Sequence, residues 1–253
     1  MTGTPAAVRP TVASFVADAP IADGISALVL GEDAAHHARV RRLAVGDAVT
    51  VRDGAGAVAD GAIRRIAKAT LEVDVAAVRR VPPLAPVHLL APVGDRERML
   101  WLAEKAVELG VTSWRPVVWH RSRSVSPRGE GEAFAVKVRA RMAQALAQCE
   151  GAWLPDLLPD APPERAAADA SPGLRLALDA DGDPFGAVTL PGAATPATQV
   201  TLALGPEGGL EPAELALLDA AGFRRVRLPG HILRFETAGV VGVAFARALL
   251  ERG

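Results

Sequence analysis

A loop of three glycines and one carboxylate is the first feature of the chain that could do chemistry. Gly205, Gly208 and Gly209 surround Glu207, directly after the apolar segment 200–204. Glycines let a backbone approach a ligand closely and take conformations that other residues avoid. The spacing is neither the GxGxxG dinucleotide pattern nor a phosphate loop ending in GKS or GKT. Two interpretations therefore stay open, a ligand-binding loop or a plain turn between a strand and a helix.

A second loop, 228–238, combines a forced turn with two charges. Pro229 and Gly230 require a turn, and Arg234 and Glu236 stand just before the apolar run 238–250. Such a run must be buried, so the two charges lie at the start of a buried helix. They indicate either a capping pair or a pair that acts on a ligand, and the loop alone does not decide between these.

Strands alternating with helices are predicted to carry both loops. The predicted strands cover residues 87–93, 114–119, 174–179, 200–204 and 224–228, and the predicted helices cover 95–109, 132–150, 212–221 and 237–252. In the first of these helices Asp95 is the cap, Gly110 ends the helix, and Leu100, Ala103 and Val107 form the apolar face. The segments 161–173 and 180–198 are predicted to be exposed loops or an extra surface helix. This alternation indicates a mostly parallel α/β sheet, in which ligands bind at the carboxyl ends of the strands.

The N-terminal third has a different pattern. Short apolar-alternating segments in 8–80 are separated by tight turns such as Gly46-Asp47, which predicts a small β-barrel with one helix near 32–42. Residues 81–86 contain three prolines and cannot continue a regular element. We interpret that segment as a linker between two domains.

Composition excludes several classes of protein. Of 253 residues, 50% are hydrophobic and 23% are charged, which is too apolar for a disordered chain. A single cysteine excludes a disulfide framework and a multi-cysteine metal site. No apolar run reaches the roughly 20 residues of a membrane helix, and the N-terminus lacks a signal-peptide pattern. These features predict a cytoplasmic protein without a metal or a membrane partner.

The charge is unevenly distributed. The net charge is −1, which by itself argues against a nucleic-acid partner. However, residues 142–222 hold 12 acidic and two basic side chains, so the rest of the chain carries 26 basic against 17 acidic groups. Arginine suits phosphate recognition because its planar fork donates paired hydrogen bonds. The arginine clusters at 39–42 and 121–128 are therefore either RNA contacts or a solvated face.

Together the two loops resemble the C-terminal signature of the bacterial small-subunit (16S) ribosomal RNA uridine-N3 methyltransferases, members of the SPOUT superfamily. Upstream segments agree with that family at 36–47, at 105–112 and at Arg121-Ser122. Phe235 stands where the family commonly has a small polar residue, a change that we expect to be tolerated.

The resemblance implies a fold, a cofactor and partners. The fold is α/β, a SPOUT-type parallel sheet with a C-terminal trefoil knot in residues 85–253, preceded by a PUA-like RNA-binding β-barrel in residues 1–84. The cofactor is S-adenosyl-L-methionine (SAM), and the substrate is N3 of a uridine in 16S rRNA of the small ribosomal subunit. A homodimer is also implied.

The resemblance also implies site residues. The catalytic residues are Arg234, which would stabilise negative charge on a uracil oxygen, and Glu207. The cofactor-binding residues are Leu178, Asp179, Leu204, Gly205, Pro206, Glu207, Gly208, Gly209, Leu228, Gly230, Ile232, Leu233, Thr237 and Ala238. The RNA-binding residues are Arg39, Arg41, Arg42, Arg121 and Arg123.

Alternatives stay open for the residues and for the whole protein. Arg234 could instead form a salt bridge with Glu236, and Glu207 could brace the knot rather than orient the amine of the cofactor. The protein could methylate another RNA, such as transfer RNA, or could be a non-catalytic RNA-binding factor in ribosome assembly.

Overall fold

The chain divides into two units. The computed structural model describes residues 11–124, 127–190, 192 and 198–251. One unit comprises residues up to Pro82 together with Leu146–Trp153, and the other comprises Pro83–Ala145 and the chain from Leu154 onward. The segment Leu146–Trp153, which falls within the second domain expected from the sequence, thus groups with the first unit. Among the described residues no helix is long and apolar enough to cross a bilayer.

The first unit is built on a five-stranded sheet. Its strands are β1 (Ala13–Val16), β2 (Ala27–Leu30), β3 (Ala48–Arg52), β4 (Ala57–Ile66) and β5 (Leu71–Arg80), in the order β1-β3-β4-β5-β2. β1 pairs with β3 in parallel, and the other pairs are antiparallel. Alternate apolar residues such as Phe15, Ile63 and Val73 are buried, as the two-residue period of a strand requires. Helix α1 (Glu32–Val40) has acidic residues in its first turn and basic residues in its last. These charges stabilise the helix because they oppose the charges of its dipole.

Trp153 packs within the first unit although 40% of the residue is exposed. Its indole nitrogen donates a hydrogen bond to the Val81 carbonyl oxygen at 2.9 Å, and its ring lies over Gly56. A Cβ at Gly56, where φ is 95°, would stand 2.4 Å from the ring. Glycine is therefore required there both by the backbone and by the ring.

The second unit is built on a six-stranded sheet. Its strands are β6 (Val87–Pro92), β7 (Ser113–Val117), β8 (Asp156–Leu157), β9 (Leu174–Pro184), β10 (Val200–Leu204) and β11 (Arg224–Arg227), in the order β11-β9-β10-β6-β7-β8. All five pairings are parallel. The parallel α/β sheet predicted from the alternation of strands and helices is confirmed.

Five helices accompany this sheet in the described chain. They are α2 (Arg96–Glu108), α3 (Glu132–Cys149, whose last residues group with the first unit), α4 (Pro163–Ala168), α5 (Pro212–Ala220) and α6 (Phe235–Glu251), and a 3₁₀ turn covers His120–Ser124. α6 begins two residues before the predicted Thr237. α4 lies within the segment predicted to be a loop or a surface helix.

Helix α2 begins and ends as its sequence predicts. Asp95 accepts hydrogen bonds from the backbone nitrogens of Glu97 and Arg98, each at 3.1 Å, and Gly110 closes the helix with φ at 65°. The predicted apolar face is partly wrong. Ala103 and Val107 are buried, but Leu100 is partly exposed, and the buried face continues through Met99, Leu102 and Ala106.

Two long-range contacts shape the sheet and its last helix. β9 continues to Pro184, into the segment 180–198 predicted to be an exposed loop or a surface helix, because Val226 and Arg227 of β11 pair with Asp183 and Pro184 after a register shift. Helix α6 packs closely against Leu102 of α2 and Leu204 of β10 at Gly239, where a Cβ would stand 2.8 Å from the Leu102 side chain and 3.1 Å from that of Leu204. Neither contact is indicated by the residues that surround it in the sequence.

Candidate active site

A cavity of about 410 Å³ lies at the carboxyl ends of β10 and β11 and at residues 178–180 of β9, where β9 ends its pairing with β10. Three segments line it, at 178–180, 204–210 and 227–233, and Leu215, Phe235 and Ala238 complete the wall. The location follows the rule that ligands of parallel sheets bind beyond the carboxyl ends of the strands. The volume falls in the range of small-molecule sites, roughly 300–1,000 Å³.

The cavity includes every cofactor residue expected from the sequence except Thr237. Thr237 lies in the first turn of α6 and is not part of the wall. The cavity wall also includes six residues that were not among the predicted cofactor residues: Ala180, Leu210, Leu215, Arg227, His231 and Phe235. Arg227 is the last residue of β11. Because ligands of parallel sheets bind at strand ends, this position is the sequence feature that would have indicated Arg227 as a cavity residue.

The glycine loop after β10 is tightly folded. A Cβ at Gly205 would stand 3.0 Å from the Leu210 side chain and 3.3 Å from its backbone nitrogen. Gly209 has φ at 73°, and its nitrogen donates to the Pro206 carbonyl oxygen at 2.8 Å. The backbone of this loop is thus held in a conformation that places it on the cavity wall.

Glu207 is held by an arginine that the sequence reasoning did not select. Nη1 of Arg98 donates to Oε1 of Glu207 at 2.9 Å. Nε of Arg98 also lies 4.0 Å from Oε1 of Glu236 at the start of α6. Arg98 is in the first turn of α2, more than a hundred residues away from Glu207 in the chain, so no local pattern announces the contact.

Arg121 contacts the glycine loop directly. Its guanidinium donates to the Gly208 carbonyl oxygen, and its Nε lies 3.6 Å from Oε1 of Glu211. The carboxylate of Glu214 accepts a hydrogen bond from the adjacent His120 backbone nitrogen at 2.7 Å. Arg121, expected to contact RNA, thus binds the loop. The side chain of Arg123 lies outside the described residues.

Arg234 is exposed and lies beside the cavity, directly after Leu233 of the wall. Its side chain makes no hydrogen bond or ion pair with any described residue. The alternative salt bridge between Arg234 and Glu236 is therefore not formed in the described chain. Glu236 pairs with Arg98 instead.

Phe235 anchors the start of α6. It is 3% exposed, and a Cβ at Gly94 would stand 2.9 Å from its ring. A small polar residue at this position would leave that space unfilled. Gly94 thus leaves the space that the Phe235 ring occupies at the start of α6.

The basic residues of the first unit differ in how they are paired. Nη1 of Arg39 donates to the carbonyl oxygens of Ala67 and Lys68, at 2.6 and 2.8 Å. Arg41 and Arg42 are exposed at the end of α1. Further along, the arginines of the β4–β5 hairpin are paired with carboxylates: Arg64 and Arg65 with Glu72, Arg79 with Asp60, and Arg80 with Asp23.

The described ranges contain no group of three or more His, Cys, Asp or Glu residues placed to hold a metal ion.

Comparison with known protein families agrees with this architecture. A family model described as an RNA methyltransferase domain matches residues 81–247, and one described as an RNA methyltransferase PUA domain matches residues 30–76. Two curated relatives carry the name ribosomal RNA small subunit methyltransferase E. The Synechocystis relative is 31% identical over 221 residues, 84% of this chain and 70% of the relative. The Mycobacterium tuberculosis relative is 28% identical over 236 residues, 90% of this chain and 88% of the relative.

Solved structures share the fold. A candidate methyltransferase from Legionella pneumophila, in complex with the bound cofactor SAM, has a TM-score of 0.81 at 26% identity, covering 95% of this chain and 98% of its own. A ribosomal RNA small subunit methyltransferase E from Neisseria gonorrhoeae, bound to S-adenosyl methionine, has a TM-score of 0.78 at 22% identity, with coverage of 94% and 97%. The family resemblance inferred from the two loops is confirmed. The chain therefore belongs to the family of RNA methyltransferases that carry a PUA domain, which includes the relatives named ribosomal RNA small subunit methyltransferase E.

Proposed function

We propose that this protein is a SAM-dependent methyltransferase that methylates N3 of a specific uridine in 16S rRNA of the small ribosomal subunit. One observation carries the proposal: the glycine loop and the 228–233 segment line one cavity, and Arg234, which has no partner among the described residues, stands directly beside it. The curated relatives named for the small ribosomal subunit support the class of substrate.

The chemistry of the cavity wall suits SAM. Leu178, Leu204 and Leu228 offer apolar surfaces for an adenine ring, and the glycine loop offers backbone groups for its ring nitrogens. Glu207 and Asp179 bring carboxylates to a ligand that carries an ammonium and a sulfonium. Oδ2 of Asp179 is buried and accepts no hydrogen bond from the described residues, although it lies 3.6 Å from Arg225. The donor set therefore fits a cationic nucleoside ligand.

The reaction requires N3 of uracil to lose its proton, because the protonated nitrogen is a poor nucleophile. When bound, SAM supplies a methyl group on a positively charged sulfur, and transfer of that methyl to N3 leaves a neutral thioether. Arg234 would stabilise the negative charge that develops on a uracil oxygen as the proton leaves. Glu207 would orient the cofactor amine. Because N3 lies on the pairing edge, the target base must be unpaired or extruded.

RNA binding is assigned to the first unit and to basic residues near the cavity. In this proposal residues 1–84 form the RNA-binding domain and residues 85–253 the catalytic domain. Arg39, Arg41 and Arg42 would contact phosphates. Arg121 would act mainly on the glycine loop, since its guanidinium is engaged by the Gly208 carbonyl.

Three further features belong to the same proposal. They are a trefoil knot in the C-terminal chain, a homodimer and a cytoplasmic location. The mass in solution, measured by light scattering, tests the dimer independently of activity.

The decisive experiment follows labelled methyl transfer from SAM to isolated small subunits and to naked 16S rRNA, and maps the modified nucleotide. N3-methyluridine in 16S rRNA is the expected product. Methylation of transfer RNA alone would show that the substrate is transfer RNA and not 16S rRNA. Absence of SAM binding by calorimetry would favour a non-catalytic assembly factor.

A further inference from the structure

Arg98 is a charged residue in an unfavourable position. It lies in the first turn of α2, where its backbone nitrogen donates to the Asp95 cap at 3.1 Å. The positive end of a helix dipole favours acidic residues there and disfavours cations. The unfavourable energy of a cation at a helix N-terminus must be offset by other contacts, and residues placed in this way are frequently functional.

Two carboxylates from distant parts of the chain supply that offset. Nη1 of Arg98 is 2.9 Å from Oε1 of Glu207 in the glycine loop, and its Nε is 4.0 Å from Oε1 of Glu236 in the first turn of α6. Arg98 and Glu207 are each 32% exposed at the side chain, and Glu236 is 12% exposed. Because partial burial weakens screening by water, the attraction between Arg98 and these two carboxylates is stronger than in a fully exposed ion pair.

The burial of Glu236 makes it dependent on Arg98. Its second oxygen, Oε2, is buried and accepts no hydrogen bond from any described residue. A buried carboxylate that loses its cation is costly, because the charge is left without compensation. Removing Arg98 would therefore disturb the first turn of α6 as well as Glu207.

Arg98 does not line the cavity itself, whereas Glu207 does. Glu236 lies two residues after Arg234, which we assign to the chemical step. We propose that Arg98 is a positioning residue that joins the cofactor loop to the segment carrying Arg234 through Glu207 and Glu236. The inference rests on the proposed function, because it needs a cofactor in the cavity and Arg234 in the reaction.

Two separable effects follow from this arrangement. Loss of the contact with Glu207 releases the cofactor loop and weakens SAM binding. Loss of the contact with Glu236 moves the Arg234 segment and lowers kcat at saturating cofactor. A merely structural residue would lower thermal stability without this division between binding and turnover.

The test uses Arg98→Met, which keeps much of the length of the side chain and removes its charge. We expect the Kd for SAM, measured by calorimetry, to rise about tenfold, and kcat to fall by a similar factor. In a Glu207→Ala background, Arg98→Met should leave the Kd for SAM unchanged and still lower kcat. Arg98→Lys keeps the charge and should recover part of both losses, which also covers the case in which the Met variant folds poorly.

Arg96→Ala is the matched control. It removes an arginine from the same helical turn, but Nε of Arg96 donates to the Arg128 carbonyl oxygen and not to a carboxylate. It should leave the Kd and kcat near the wild-type values. Wild-type affinity and turnover in Arg98→Met, or an equal rise in Kd in both Glu207 backgrounds, would overturn the inference. If the wild-type protein itself fails to bind SAM, the proposed function fails.

Discussion

Arg121 lies across Gly208: its guanidinium donates a hydrogen bond to the Gly208 carbonyl oxygen, and its side-chain carbons lie where a Cβ at residue 208 would be placed. A Cβ at position 208 would stand 2.9 Å from Cδ of Arg121 and 3.3 Å from its Cβ. The loop and the arginine therefore fit together only when residue 208 has no side chain.

Gly208→Ala should weaken cofactor binding through this contact. The added methyl group displaces Arg121, and the loop loses a charge-assisted hydrogen bond. We expect the Kd for SAM to rise about tenfold, measured by calorimetry. Gly186→Ala is the control, because a Cβ at Gly186 has no atom within 4 Å and φ there is not positive. An unchanged Kd in Gly208→Ala would show that Arg121 does not hold the loop.

Arg234→Ala should impair the chemical step and not cofactor binding. Its side chain is exposed and outside the cavity wall, so its loss leaves the wall intact. Loss of one stabilising donor costs about 10²–10³ in kcat for related charge-stabilising groups. Single-turnover methylation measures the rate, and calorimetry measures SAM affinity. Full turnover in Arg234→Ala would remove Arg234 from the mechanism.

The basic end of α1 should contribute to RNA affinity in a salt-dependent way. We expect Arg41→Gln combined with Arg42→Asn to weaken 16S rRNA binding and to flatten the dependence of log K on log salt by about 0.7–0.9 for each phosphate that the variant no longer neutralises. Asn is chosen because Arg42 has φ at 56°, a conformation that Asn tolerates. Filter binding over a series of salt concentrations gives both quantities.

Arg64→Gln combined with Arg65→Gln is the matched control for that experiment. Both arginines already pair with Glu72, so their charges are partly offset within the protein. The control should change the slope by less than half as much. A larger change of the slope in the control would show that RNA binds to the β4–β5 hairpin and not to the end of α1.

His37 should make stability depend on pH. Burial, followed by the positive charges of Arg41 and His36, lowers the pKa of His37 below its ordinary value of about 6.5. Between the lowered pKa and about 6.5 the unfolded chain therefore binds more protons than the folded protein, so stability rises with pH. The contribution of neutral His37 is complete above about pH 6.5 and is lost as the pH falls from there through the lowered pKa of the folded state.

Urea unfolding of wild type and His37→Gln at pH 7.5 and pH 5.5 checks this sign. The difference in free energy of unfolding between the two proteins should shift in favour of the variant at pH 5.5. His37 packs edge-on against Phe15 with ring centroids 5.7 Å apart, so the variant loses some stability at both pH values. A difference that does not change with pH would contradict the lowered pKa.

Local signals in the sequence are sufficient to predict most of the helices and strands, and two motifs are sufficient to suggest the family. Periodicity and capping residues such as Asp95 and Gly110 are local signals, so they predict where helices and strands begin and end. The two glycine- and charge-bearing loops are contiguous in the chain, and their composition was sufficient to suggest the class of protein. The neighbouring cavity residues Leu210 and Phe235 were missed because their apolar side chains look like ordinary core.

Which side chains lie together in the site depends on contacts between distant parts of the chain. The extension of β9 depends on its pairing with β11, and the contacts of Arg98 with Glu207 and Glu236 join segments that are far apart in the chain. Such contacts form because the parallel sheet brings its strand ends and the helix starts to one edge. No residue pattern around Arg98 or Arg121 encodes a partner far along the chain, since local propensity depends on neighbours in the chain and these contacts depend on the fold.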